Sequence, residues 1–133
     1  MLPELTTLLH ERNQRTPPLC DHKVLVSWNG LMIGALAKVG QISQRQDLLD
    51  AAITAAKAIL EHAIINGTLR HSITEGTPSA TAGFLDDHAF FADGLLDLHD
   101  VTGDSMWRDA AVLLTDQMIA QFTDTAEDGF FFT

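Results

Sequence analysis

Tyrosine is missing from the 133 residues, and cysteine occurs once, at Cys20. One thiol closes no internal disulfide, so no cystine framework holds this chain. Cations are scarce: 8 Lys+Arg stand against 18 Asp+Glu, a formal net charge of −10. A nucleic-acid surface needs clustered Lys and Arg, and this balance excludes one. No apolar run approaches the roughly 18 residues that cross a bilayer, so no membrane partner is expected. The opening Met1-Leu2-Pro3-Glu4 carries no basic segment of the kind that begins a signal peptide, and the expected setting is cytoplasmic. HExxH, CxxC, Walker A and Rossmann glycine patterns are also lacking. His62, His71 and the Asp86-Asp87-His88 run show no zinc spacing, so neither a metal nor another cofactor is expected. Cys20 has no sequence support as a nucleophile.

What remains is a folding composition. Apolar residues make up 46% and charged residues 20%, the balance of one globular domain rather than a disordered chain. Residues 1–83 hold 7 acids and 7 bases; residues 84–133 hold 11 acids and Arg108 alone. The second half is also rich in Phe and Leu, so it reads as folded, not as an acidic tail.

Helical spacing recurs along the chain. Pro3 suits a first turn, and Leu2, Leu5, Leu8 and Leu9 follow it, with Thr16-Pro17-Pro18 as the stop. Residues 16–26 read as an extended connector. Ser27 is the expected N-cap of a second helix with the stripe Trp28, Leu31, Met32, Ala35, Leu36 and Val39, ended at Gly40. Asp47 is the expected cap of a third, striped by Leu49, Ala52, Ile53, Ala56, Ile59, Leu60 and Ala63. Asn66-Gly67 signals a turn, and residues 68–73 read as extended. A fourth helix is expected from Asp86 or Asp87 to about Val101, and a fifth, capped by Asp104 or Ser105, buries Trp107, Ala111, Leu114, Met118 and Phe122. A turn at Asp128-Gly129 precedes the strand-like residues 130–133.

These units repeat. Trp28-Asn29 maps onto Asp87-His88, Gly34 onto Gly94, Ala51-Ala52 onto Ala110-Ala111, and Gly67 onto Gly129, all at offsets near 60 residues. Repeated αα-hairpins mean an all-α solenoid or a closed toroid, because one hairpin cannot bury its own apolar face. About two units are present, below the roughly three that such repeats need. The chain therefore reads as a single partial domain, residues 1–133, of a larger protein.

Several residues are candidates for chemistry. Asp86, Asp93, Asp97, Asp100 and Asp104 form one helical stripe, read as a solvated face rather than a cation site. Asp87 instead heads an apolar surface through Phe90, Phe91, Gly94 and Leu98. It is either a helix cap or an acid–base group. His88 has the same pair of readings, with a structural hydrogen bond favoured. Trp28 beside Asn29 offers a ring to stack on a sugar and an amide to bond its hydroxyls, although Trp28 reads first as core. Arg70 and His71 could meet sugar hydroxyls or an anion, against the commoner reading of exposed strand charge.

At these residues the chain resembles a known family. The segment Asp21–Met32 (DHKVLVSWNGLM) resembles the D-x-K-V-L-T-S-W-N-G-L-M signature of the spermatogenesis-associated protein 20 (YyaL-like, DUF255) family. Gly83–Phe90 (GFLDDHAF) resembles its G-F-L-D-D-Y-A-F, followed by G-L-L-D-L at Gly94–Leu98; Arg12, Arg15 and Pro18 fit its R-x-x-R-x-x-P lead-in. His88 departs from the family's usual Tyr. The resemblance implies a thioredoxin-like domain, absent from this chain, followed by an (α/α)6 six-hairpin toroid similar to N-acylglucosamine 2-epimerases. It implies that the chain is a piece of that toroid, with Trp28-Asn29 and Asp87-His88 facing its central cleft.

Two functional expectations follow. The first is a carbohydrate-active or carbohydrate-binding domain. Asp87 and His88 are then the candidate catalytic pair, and Trp28, Asn29, Arg70 and His71 bind a sugar or small polar ligand. The second is a helical scaffold or ligand-binding module without chemistry. Taken alone, the chain is expected to show no turnover and to self-associate through unpartnered apolar faces.

Overall fold

Proline at a helix's first turn supplies a preset φ, and so the chain opens on α1, Pro3–Asn13. The computed structural model describes residues 3–133, so Leu2 of the expected first stripe lies outside the described residues. All described side chains of α1 are exposed, so Leu5, Leu8 and Leu9 do not face a core.

Two αα-hairpins follow: α2 (Val26–Ser43) with α3 (Gln46–His62), and α4 (Leu85–Thr102) with α5 (Ser105–Phe122). α4 opens 59 residues after α2, and α5 opens 59 residues after α3. The sequence repeat is thus a structural one. Among the described residues these five helices dominate, and the largest sheet has three strands, so the all-α class holds.

The buried side of α2 departs from expectation. Val26, Ser27, Gly30, Ile33, Gly34, Ala37 and Gly40 are buried, whereas Trp28, Leu31, Met32 and Val39 are exposed. The physical reason lies in the glycines. α2 and α4 run parallel with their backbones nearly touching: a Cβ added at Gly30 would sit 2.6 Å from the Phe90 carbonyl, and Gly94 closes on Gly30 from the other side. Small side chains let the two backbones approach, and that close contact outweighs the larger residues on the opposite face. Ser27 is not the N-cap. Leu25 holds that position without a side-chain cap bond, and Ser27 lies inside the first turn.

Other boundaries shift for local reasons. α2 continues past Gly40 to Ser43 and ends on Gln44 in the left-handed region (φ 54°); Gly40 instead lets the start of α3 pack close. Arg45, not Asp47, is the N-cap of α3; Asp47 sits in the first turn, where its charge suits the helix dipole, and pairs with Arg45 at 2.5 Å. α3 buries Ala52, Ala56 and Ile59, as its periodicity predicts. α4 begins at Leu85, one residue before the expected carboxylates, and ends on Gly103 at φ 73°. Asp104 caps α5 by accepting from the Met106 amide at 3.0 Å, and Trp107, Ala111, Leu114 and Phe122 are buried, whereas Met118 of the expected stripe is only half-buried.

The acidic stripe is only partly solvated. Asp93, Asp100 and Asp104 are exposed and Phe91, Leu95 and Leu98 are buried, as expected. Asp86 is half-buried, and the Asp97 side chain is 14% exposed because the Lys38 ammonium of α2 meets it at 2.8 Å. An opposite charge on the neighbouring helix makes that burial tolerable.

Short strands collect between the helices. β1 (Lys23–Leu25), β4 (Ser72–Thr74) and β5 (Thr77–Pro78) form an antiparallel sheet in the order β1-β4-β5, with Val24 opposite Ile73. β2 (Ile64–Ile65) and β3 (Thr68–Leu69) form a hairpin whose loop, Asn66-Gly67, has φ of 51° and 77°, a type I′ turn. Glu75-Gly76, with φ of 50° and 77°, makes the same turn between β4 and β5, which the sequence reading did not foresee. β6 (Thr123–Asp124) and β7 (Gly129–Phe130) form the last hairpin.

Candidate functional site

Parallel packing brings the N-terminal ends of α2 and α4 together, and the β1-β4-β5 sheet lies at that end. The Val26 amide at the start of α2 donates to the His71 carbonyl at 3.1 Å, so the segment before β4 is tied directly to α2.

Asp87 is the junction. It lies at the third position of α4, and its carboxylate is fully buried. Oδ1 accepts from the Ser27 amide at 3.0 Å; Oδ2 accepts from the Phe84 amide at 2.9 Å and meets His71 Nδ1 at 2.8 Å. The Phe84 bond is half of a capping box. The Ser27 bond joins the two repeats. A carboxylate brings only acceptors and so suits three converging donors, which also requires the His71 proton to be on Nδ1.

His88, 1% exposed, turns the other way. Its Nδ1 lies 2.9 Å from the Phe84 carbonyl, which only accepts, so this nitrogen carries the proton. Nε2 is buried without a hydrogen-bond partner, and the ring meets Phe122 edge-on at 5.4 Å.

Trp28 and Asn29 occupy the matching place in the first repeat, in different surroundings. Trp28 is 71% exposed, which overturns its reading as core. Together with Asp21, Lys23, Leu25 and Asn29 it lines a surface pocket of about 300 Å³. Asn29 donates its amide to the Leu25 carbonyl at 2.8 Å. The sequence reading missed Asp21 and Lys23 as lining residues. Their signal was the two-residue spacing of opposite charges in an extended segment, which puts both on one side. The Lys23 amide, reinforced by its ammonium 3.2 Å away, holds the exposed Asp21 carboxyl below its ordinary range.

Arg70 is half-buried and donates to the Ala80 carbonyl at 3.1 Å, pinning the strand connection. The His71 side chain is 28% exposed, and its ring packs against Phe84 at 4.9 Å. Trp28 and Asn29 thus share one pocket, and His71 and Asp87 share one hydrogen-bonded cluster. The expected common end of the bundle is present. The single cavity bordered by Trp28, Asn29, Asp87 and His88 is not, because Asp87 and His88 are sealed within the wall. Among the described residues, no cluster of three His, Cys, Asp or Glu is placed to hold a metal ion, and no helix is long and apolar enough to cross a membrane.

No protein-family model matches the chain. It is 33% identical over 137 residues to human spermatogenesis-associated protein 20 and 32% identical over 136 residues to the mouse protein, covering 96% of this chain and 17% of each relative. An uncharacterised Caenorhabditis elegans protein is 34% identical over 114 residues. The chain spans about a sixth of the length of the first two relatives, 17%. In structure it is similar to cellobiose 2-epimerase from Spirochaeta thermophila: TM-score 0.76, 17% identity, covering 83% of this chain and 28% of that one. It is also similar to a family-76 α-mannanase from Bacteroides thetaiotaomicron, with TM-score 0.70 and 17% identity over 89% of this chain and 32% of that one. The fold is that of part of an (α/α)6 six-hairpin toroid.

Proposed function

We propose that this chain, homologous over 96% of its length to spermatogenesis-associated protein 20, is a piece of a six-hairpin domain that binds or acts on a carbohydrate. The observation that carries the reading is Trp28. A large aromatic ring left 71% exposed gains little from core burial, and here it borders a surface pocket that also carries Asp21, Lys23 and Asn29. A sugar has an apolar face for such a ring and hydroxyls for Asp21, Lys23 and the Asn29 carbonyl. Fold-level likeness to an epimerase and a mannanase raises the expectation of sugar chemistry, by analogy only.

The test is a panel of disaccharides titrated into the full-length protein while tryptophan fluorescence is followed. A saturable change that disappears in Trp28→Ala supports the reading. No sugar-dependent change across the panel overturns it.

One observation favours the scaffold reading instead. Asp87, the leading catalytic candidate, spends its carboxylate on three internal donors. Under either reading, Leu31, Met32, Val39 and Ile42 stay exposed on α2, and we expect the isolated chain to associate. A strictly monomeric species in light scattering at high concentration would remove that expectation.

A further inference from the structure

We propose that His71 is the proton-transfer residue at this end of the helices and that Asp87 is its positioning residue. The inference rests on the reading of this end as a carbohydrate site, but redistributes the roles within it. Asp87 is fully buried and engaged by Ser27, Phe84 and His71, so it cannot touch a ligand. What it does instead is fix an imidazole. The 2.8 Å contact holds the His71 proton on Nδ1, and two backbone amides hold the carboxylate that does the holding. Phe84 packs against the ring and limits its rotation.

The consequence falls on the other nitrogen. With Nδ1 protonated, Nε2 of neutral His71 keeps a lone pair. No described residue hydrogen-bonds to it, and it is not among the buried unpartnered atoms, in contrast to Nε2 of His88. An oriented imidazole with one nitrogen bound to a buried carboxylate and the other open is the arrangement that general base catalysis uses. Nε2 takes a proton from a substrate C–H or O–H, and the bonding pair stays on the substrate atom. The imidazolium that forms lies against the Asp87 carboxylate, and Nε2 later returns the proton. His88 is excluded from this role because its free nitrogen is sealed.

The arrangement is tested first without a substrate. In long-range proton–nitrogen correlation spectra of the full chain, neutral His71 shows the Nδ1–H form, and Asp87→Ala shifts it toward the Nε2–H form preferred by a free imidazole. An Nε2–H form in the unaltered chain overturns the proposal. Diethyl pyrocarbonate supplies the second readout: it must acylate His71 at Nε2 and spare His88. Protection of His71 under conditions that modify the exposed His22 overturns it as well. With a substrate found in the disaccharide panel, His71→Gln should lower kcat at least 100-fold while the Trp28-dependent fluorescence titration still saturates. Retained turnover in a folded His71→Gln protein sinks the role of His71. Loss of the titration in Trp28→Ala concerns the sugar reading alone, so the two failures are told apart.

Discussion

Trp28-Asn29 and Asp87-His88 stand at the same position in two repeats 59 residues apart, and their side chains meet opposite fates. The first pair faces solvent and a pocket; the second is sealed. The difference is one of neighbours. α4 packs against both α2 and α5, and its first turn is also covered by the segment 68–84 and by Phe132, whose carbonyl accepts from the Leu85 amide. α2 packs on α4 and α3 and leaves a whole side open. A repeat fixes where a backbone turn lies, whereas exposure belongs to whatever packs around it. Function on this scaffold is accordingly expected on the open turn, supported by the closed one.

The largest test of that comparison attacks the contact that sets the two turns side by side. Gly30→Ala places a methyl group 2.6 Å from the Phe90 carbonyl carbon and oxygen, both backbone atoms that cannot swing away. Overpacking of this kind costs about 1–3 kcal/mol, and a backbone partner puts it at the upper end. Urea unfolding should show the loss. A Gly30→Ala protein as stable as its parent would mean that the two helices do not meet as described.

The next test concerns the closed turn. Asp87→Asn keeps the shape but replaces one acceptor oxygen with a donor, facing Ser27, Phe84 and His71, which all donate. A buried donor left without an acceptor costs about 1–3 kcal/mol. This differs from what a simple cap predicts, since Asn caps nearly as well as Asp. A melting temperature unchanged by Asp87→Asn would remove the junction role.

How much of this was legible in the sequence depends on what each signal reports. Periodicity of 3.6 found the helices and the inward faces of α3 and α5, although Leu49, Ile53, Leu60 and Met118 at the edges of those stripes are only half-buried. It failed on α2, where Gly30, Gly34 and Ala37 make the contact and the bulky residues face away. Turn chemistry found Asn66-Gly67, whereas Glu75-Gly76 carries a weaker signal, because Glu tolerates the left-handed region less readily than Asn. The site was legible as residue types but not as partners. His71 and Asp87 are 16 residues apart, Ser27 and Asp87 are 60 apart, and no local pattern links them.

A smaller effect is expected where the open and closed helices exchange charge. Lys38 on α2 meets Asp97 on α4, and hydrogen bonding to that carboxylate, aided by its charge, raises the lysine above its usual range. The folded chain then holds the proton more tightly than the unfolded chain. The stabilisation is complete below the unfolded lysine's pKa and is lost as pH climbs through the higher folded value. Lys38→Met should therefore lower stability at neutral pH by less than Asp87→Asn does, and the difference from the parent should shrink at strongly alkaline pH. A difference that instead grows with pH would contradict the pairing.

The smallest stability effect is expected at the open turn itself. Trp28 contributes little burial, and substitutions at exposed positions away from special features usually stay within about 0.5 kcal/mol. Trp28→Ala should melt within a degree or two of the parent, in contrast to Gly30→Ala two positions further along the same helix. Its exposed ring should also be quenched by acrylamide, whereas buried Trp107 should not. A large loss of stability in Trp28→Ala would mean that the ring is packed after all, and the pocket it borders would lose its aromatic wall as a ligand surface. A neutral result leaves an exposed indole that the stability of this chain does not require, as a ligand surface and a contact with the rest of a six-hairpin domain both demand, and the sugar titration of the full-length protein separates the two.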